Sequence, residues 1–213
     1  MLWIVLGISI SYLIGSIPTA YIFGRVLKGI DIRKFGSGNV GATNALRVLG
    51  KGPGIMVLAL DIFKGFIAVT FIGDSLALKA PFLTDEALRI ILGIICIAGH
   101  NWTIFLQFKG GKGIATTPGV LIALAVKSGP LQIISGLVIA AWFLVFIISR
   151  IVSLASLLAA IALPILVFLF RQSHILLATS VILALFVILR HKSNLIRIFR
   201  GEEPRLNFKK TKS

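Results

Sequence analysis

Two short, basic, glycine-rich segments carry the residue types that could do chemistry in this chain. The first reads Phe35-Gly36-Ser37-Gly38-Asn39-Val40-Gly41-Ala42-Thr43-Asn44-Ala45-Leu46-Arg47, the second Phe108-Lys109-Gly110-Gly111-Lys112-Gly113. Glycine lets backbone N–H groups turn toward a ligand without steric cost. Such loops form anion-binding concavities, and a following helix N-terminus adds partial positive charge. Lys and Arg supply full charge and strong donors. The chemistry expected is therefore that of phosphate or carboxylate. In the first loop the candidate pocket consists of Ser37, the backbone amides and Arg47. Ser37 and Asn39 are expected to cap a helix starting near Val40, with Thr43 and Arg47 on one face at i, i+4. In the second loop, glycines on both sides of Lys112 argue against a plain stop-transfer anchor.

Two familiar phosphate motifs are excluded. Gly36, Gly38 and Gly41 have the dinucleotide spacing, with Asp61 twenty residues beyond Gly41, but that fingerprint needs a preceding strand and a βαβ unit. An apolar helical stretch precedes it here. Lys112 is not a P-loop lysine, because Leu106 stands where glycine is required and Gly113 where Ser or Thr would bind magnesium.

The elements that must position these loops are apolar. The chain has 213 residues, is 57% hydrophobic and has a mean hydropathy of +1.02. Soluble domains are about 45–50% apolar even with glycine counted. An all-α integral membrane protein follows: a single membrane domain over residues 1–213, built as a bundle of seven transmembrane helices. A span needs about 20 mostly apolar residues. Candidates are Leu2–Arg25, Ile55–Ile72, Ala87–Leu106, Gly113–Val126, Leu131–Ile148, Ile151–Phe170 and Ile175–Leu189. The fourth is short and is expected to start at Gly110, a form that also suits a site at membrane depth. The seventh is short too, with room to run on past Arg190. The active-site loops are expected within 28–54 and 107–113, with a cytosolic tail over 190–213.

The net charge of +15 does not point to nucleic acid, because the positive residues are dispersed at helix ends. Seventeen Lys and Arg fall on one side of the seven-span arrangement, including Lys209, Lys210 and Lys212 in the tail. Only Lys79, Arg89, Lys127 and Arg171 fall on the other, and Lys64 lies within a span. This positive-inside bias puts the N-terminus outside and the C-terminus and both glycine loops in the cytosol. No basic residue precedes the first span and no small-residue cleavage site follows it, so it does not read as a cleavable signal peptide. Cys96 reads as a small buried hydrophobe. Asp61 and Lys64, at i, i+3 inside the second span, read as an internal ion pair. His100, in Gly99-His100-Asn101-Trp102, reads as structural. His191 and Asn194 share a helical face, and one of Glu202 and Glu203 is expected to turn inward toward a Lys or Arg.

These residues together resemble the bacterial acyl-phosphate:glycerol-3-phosphate acyltransferase family. The resemblance rests on Gly15-Ser16-Ile17-Pro18-x-x-Tyr21, the first glycine loop, and Asp61-x-x-Lys64-Gly65. It continues through Gly99-His100-x-Trp102 with the second loop and Ala115-Thr116, then His191-x-x-Asn194 with Gly201-x-Glu203. It spans essentially the whole chain. It implies an enzyme of the bacterial cytoplasmic (inner) membrane, with its active site facing the cytosol. That enzyme moves a fatty acyl group from acyl phosphate to the 1-hydroxyl of glycerol 3-phosphate, releasing 1-acylglycerol 3-phosphate (lysophosphatidic acid) and phosphate. It further implies catalytic roles for Ser37, Arg47, Lys112, His191 and Asn194. Substrate or phosphate binding is implied for Gly38, Asn39, Thr43, Asn44, Lys109, Gly110, Gly111 and Gly113, with Glu203 in support. Partners implied are membrane lipid and a soluble phosphate:acyl-ACP acyltransferase that supplies the donor; no cofactor or metal is called for.

The residues themselves agree with an activated donor. Other glycerolipid acyltransferases carry His-x4-Asp, but the residues five beyond His100, His174 and His191 are Phe105, Thr179 and Ile196. The rival reading is a transporter of phosphate or phosphoester anions. It would call for inverted repeats and midplane broken helices, and the sequence displays neither.

Overall fold

The computed structural model describes residues 1–206, and all regular secondary structure in them is helical. The tail lysines Lys209, Lys210 and Lys212 lie outside the described residues. The chain divides into two compact units, Met1–Gln132 and Ile133–Ser213.

The first unit contains α1 (Leu2–Ser16), α2 (Thr19–Lys28), α3 (Ala42–Val48), α4 (Lys51–Lys79, with a π-helical stretch at Ala68–Ile72), α5 (Asp85–Asn101) and α6 (Thr116–Lys127). Glycines set how closely these helices approach. A Cβ at Gly15 or Gly99 would collide with the backbone carbonyl of Cys96 or Tyr12, so α1 and α5 touch backbone to backbone. At the α4–α6 crossing, Gly65 lies under the Thr116 carbonyl and Gly119 under that of Ile62. Close approach through small residues is the usual basis of helix association in lipid, where burial of apolar surface supplies little drive. Hydrogen bonds reinforce it: Ser11 Oγ donates to Leu92 O at 2.6 Å, and Thr103 Oγ1 to Ser16 O at 2.5 Å.

Two expectations about spans are corrected. The first span is not one helix: it breaks at Ile17-Pro18, and α1 and α2 meet at a 40° bend. Pro18 cannot donate into the ladder. The fourth begins at Thr116, not at Gly110, because Gly110 and Gly111 donate their N–H groups to the Asn101 and His100 carbonyls instead of to a helix. At 12 residues α6 is about 18 Å long, short of the ~30 Å hydrocarbon core. Its first residue lies level with Gly65, about 21 Å along α4 from Lys51 at 1.5 Å per residue. The second glycine loop thus enters the bundle and does not end at its rim. At the far end of the same unit Arg89 pairs with Asp74 (2.6 Å) and Asp85 (2.7 Å), and Lys127 with Asp74 (3.0 Å).

The second unit takes in most of α7 (Gly129–Ser149), then α8 (Val152–Leu169), α9 (His174–Arg190) and α10 (Lys192–Phe199). α8 packs along α9, and Trp142 Nε1 donates to Ser156 Oγ at 3.2 Å. Ser173 caps α9, accepting from Leu176 N–H. The chain bends by 63° between α9 and α10, and Leu206 N–H donates to Arg150 O at 2.9 Å, returning the tail to the start of α8.

Among the described residues, four helical segments are by length and composition able to cross a membrane, Lys51–Lys79, Asp85–Leu106, Gly129–Ser149 and Val152–Leu169, or up to six if each bent pair is one span.

Candidate active site

The first loop closes around Asn44. Its side-chain carbonyl accepts from Ser37 N–H at 2.9 Å, and its amide donates to Phe35 O (3.0 Å) and Ile32 O (3.3 Å). Asn44 is buried, and its amide group holds the loop from inside. A side chain at Gly36 would collide with the Asn44 carbonyl, and Gly36 has φ +60°, so glycine is required twice over there. The capping expectation fails: α3 starts at Ala42 with Gly41 as its N-cap residue and no side-chain cap. Ser37 and Arg47 are exposed, while Thr43 and Asn39 are half-buried. Before the loop, Asp31 accepts from the Arg33 backbone N–H and guanidinium. The Arg33 side-chain hydrogen bonds hold its carboxyl down at about 2 against the pull of burial.

The second loop is laid on the end of α5. Gly110 N–H donates to Asn101 O and Gly111 N–H to His100 O, each at 3.0 Å. A Cβ at Gly111 would overlap His100 Nε2, and one at Gly110 the His100 carbonyl. Lys109 is exposed, Lys112 half-buried and Gly113 buried with φ +77°. Beneath Gly113 lies the fully buried Asn101 side chain, whose amide nitrogen and oxygen have no hydrogen-bond partner among the described residues; the same holds for Thr116 Oγ1 at the start of α6.

A buried charged cluster sits at the level of this loop. Asp61 Oδ1 accepts from Thr19 Oγ1 (2.7 Å) and Lys64 Nζ (2.8 Å) and lies 3.7 Å from His100 Nδ1. Lys64 also donates to Ile17 O at 3.2 Å, in the break between α1 and α2. The ion pair read from the sequence is thus present, and it ties α4 to the bend of the first segment. Beside that bend opens an apolar groove of about 370 Å³, lined by Ile14, Ile17, Ile22, Phe23, Leu60 and Phe63.

In the second unit, Glu203 turns inward, as expected of one of the two glutamates. Its Oε1 accepts from Ser153 Oγ (2.7 Å) and Asn194 Nδ2 (2.6 Å), and its Oε2 from Arg197 Nε (2.7 Å). Burial alone would raise its carboxyl pKa, but these three donors and the Arg197 charge outweigh it and hold the carboxyl below the ordinary value. His191 is buried at the α9–α10 bend with Nδ1 2.8 Å from Val187 O. A carbonyl only accepts, so Nδ1 carries the proton and Nε2 is the acceptor of the neutral ring.

Within the first unit, Ser37 and Asn44 are thus joined, as are Gly110 with Asn101 and Gly111 with His100. Within the second, Asn194 and Glu203 are joined. Sequence reasoning missed Thr19, Ser153 and Arg197. Arg197 lies three residues after Asn194, a spacing that could have revealed it. Ser153 is 50 residues from Glu203 and left no signal. Among the described residues no group of three or more His, Cys, Asp and Glu is placed to hold a metal ion.

The glycerol-3-phosphate acyltransferase family model matches residues 5–201. A glycerol-3-phosphate acyltransferase of Staphylococcus haemolyticus (strain JCSC1435) is 42% identical over 206 residues, 96% of this chain and 98% of its own length. That of Staphylococcus aureus (strain Newman) is 41% identical over the same shares. Among solved structures, PlsY (YgiH), an integral membrane glycerol 3-phosphate acyltransferase, in its glycerol 3-phosphate form has a TM-score of 0.82 and 33% identity, covering 96% of each chain. Its lysophosphatidic acid form has a TM-score of 0.80 and 32% identity, covering 96% of this chain and 95% of that one. Two pinned glycine loops, a buried polar cluster beneath one of them and likeness along nearly the whole length lead to one conclusion: the chain belongs to the glycerol-3-phosphate acyltransferase family and is an acyltransferase.

Proposed function

We propose that this chain transfers a fatty acyl group from acyl phosphate to the 1-hydroxyl of glycerol 3-phosphate, giving 1-acylglycerol 3-phosphate and inorganic phosphate. The observation that carries the reading is the pair of glycine loops. Each is held from inside by buried groups, Asn44 in one and the end of α5 in the other. Their rims therefore keep a fixed shape and present amides and Ser37 beside the cations Arg47, Lys109 and Lys112. That is what two phosphate groups need.

The hydroxyl oxygen attacks the acyl carbonyl carbon, the bond from that carbon to the bridging phosphate oxygen breaks, and the proton ends on phosphate. An activated donor needs no covalent enzyme intermediate; positioning and charge stabilisation supply most of the rate. Ser37, Arg47, Lys112, His191 and Asn194 are assigned to the substrate phosphates. Gly38, Asn39, Thr43, Lys109, Gly110, Gly111 and Gly113 shape the binding surface of the first unit, where Asn44 holds the first loop, and Glu203 supports Asn194 in the second. A donor phosphate oxygen, helped by the acceptor nitrogen of His191, takes the hydroxyl proton. The apolar groove beside the α1–α2 bend suits the alkyl chain of a lipid-like donor.

The same reading places the chain in the bacterial cytoplasmic membrane with seven crossings, the N-terminus outside and the site facing the cytosol. A soluble phosphate:acyl-ACP acyltransferase supplies the donor. Purified protein given palmitoyl phosphate and glycerol 3-phosphate should release phosphate only when both are present. Lys112→Ala should lower kcat/KM by about 10²–10³. Turnover with palmitoyl-CoA in place of the acyl phosphate would overturn the donor. Uptake of glycerol 3-phosphate into proteoliposomes, with no acyl transfer, would overturn the reaction in favour of transport.

A further inference from the structure

The buried Asp61–Lys64 pair does more than join helices. Asp61 is fully buried, and its Oδ1 already serves Thr19 and Lys64, yet its Oδ2 has no hydrogen-bond partner among the described residues. The imidazole of His100, itself buried, faces that carboxylate with Nδ1 at 3.7 Å from Oδ1. The opposite ring nitrogen, Nε2, abuts Gly111 so closely that no side chain fits there. One side of the ring thus faces a buried anion, and the other supports the second glycine loop.

We propose that Asp61 is a positioning residue for this loop: its carboxylate holds the His100 ring with the proton on Nδ1, and the ring so oriented fixes the path of Gly110-Gly111-Lys112. At 3.7 Å the contact is longer than a hydrogen bond, but the carboxylate charge favours hydrogen on the ring nitrogen that faces it. In the neutral ring Nε2 is then the acceptor, turned toward the loop backbone. Lys64 offsets the Asp61 charge, and Thr19 fixes which way the carboxylate turns. The ring is buried, and Thr116, three residues past the loop, lies about 21 Å along α4, so solvent does not compete to orient it. A displacement of the loop by a fraction of an ångström would move Lys112 relative to the substrate phosphate, which is enough to cost rate without loss of fold.

The proposal rests on the second loop being a phosphate-binding element, and its test keeps the two apart. Asp61→Asn alone strands Lys64, so the informative variant is Asp61→Asn with Lys64→Met, which removes both charges at near-constant volume. If the pair only ties helices together, this double variant recovers both thermal stability and kcat. The proposal expects stability to recover while kcat stays about tenfold or more below wild type, with the KM for glycerol 3-phosphate changed less than about threefold. An independent measurement needs no activity. The chain has three histidines, so ring-¹⁵N spectra of histidine-labelled protein, with His100→Gln to assign the signal, report the tautomer. His100 should be protonated at Nδ1 in the wild type and lose that preference in the double variant. A His100 signal already protonated at Nε2 in the wild type, or unchanged in the double variant, overturns the proposal. A tautomer change together with full activity of Lys112→Ala would sink the phosphate-loop reading and leave the Asp61–His100 coupling standing.

Discussion

Asp61 and Glu203 are both buried carboxylates, one in each unit, but they are satisfied in opposite ways. Glu203 has donors on both oxygens, from Ser153, Asn194 and Arg197. Asp61 crowds its partners onto Oδ1 and leaves Oδ2 without one among the described residues. A carboxylate with donors on both oxygens is a fastener, since neither oxygen is left to respond to a neighbour alone. A half-satisfied one sits next to whatever it influences, and beside Asp61 that is His100. The partners differ as well. Lys64 is nearly as buried as Asp61, whereas the Arg197 side chain is 38% exposed. Losing one member of each pair therefore strands very different charges.

The comparison breaks most readily at Asp61. Asp61→Asn leaves a buried ammonium without its counter-charge, and removal of one member of a buried pair costs about 3–5 kcal/mol. Thermal unfolding in detergent should show this as the largest single loss. If Asp61→Asn proved milder than Glu203→Gln, the contrast drawn above would be wrong. Glu203→Gln keeps the shape but removes the charge, with Arg197 still able to reach water, and an expected cost of about 1–3 kcal/mol. It also carries a pH signature. The folded carboxyl titrates below its ordinary 4.5, so the unfolded chain takes up the proton first. The Glu203 contribution is complete above that ordinary value and is lost as pH falls through it toward the folded value. Melting curves between pH 7 and pH 3 should slope downward toward acid in wild type and less so in Glu203→Gln. Ser153→Ala removes one of the two donors on Oε1 while Asn194 remains, and should cost about 1 kcal/mol. Asp74→Asn should be smallest, under about 1 kcal/mol, because Asp74 is half-exposed and Arg89 keeps Asp85 and the Val69 carbonyl.

Much of this was legible in the sequence because the relevant signals are local. Apolar length gave the helices, Gly36 and Gly111 marked loops that tolerate no side chain, and the i, i+3 spacing of Asp61 and Lys64 announced their pairing. The break at Pro18 is also local, but a mostly apolar stretch with a single proline reads as one span. The start of α6 departs from expectation for a different reason: the amides of Gly110 and Gly111 are taken by carbonyls of α5, a tertiary contact that no helix propensity contains. Ser37 and Asn39 looked like caps, yet the group that organises their loop is Asn44, acting from within the following helix. The meeting of Ser153 with Glu203 and of Thr19 with Asp61 depends on the folded path of the chain, so a single sequence carries no trace of either.

The backbone-to-backbone seam between α1 and α5 bears on how the protein is made. Ser11 donates to Leu92, 81 residues further along. At about 5–20 residues per second of synthesis, the first helix waits roughly 4–16 s for the partner that its glycines and serines are shaped to meet. During that interval its small-residue face has only lipid or the insertion machinery for company, and Gly15 and Ser11 offer lipid little to grip. The order of emergence therefore leaves the α1 face that meets α5 without its partner for that interval. Substitutions that enlarge Gly15 or Gly99 should register first as lower yield of inserted protein, before any assay of the finished enzyme.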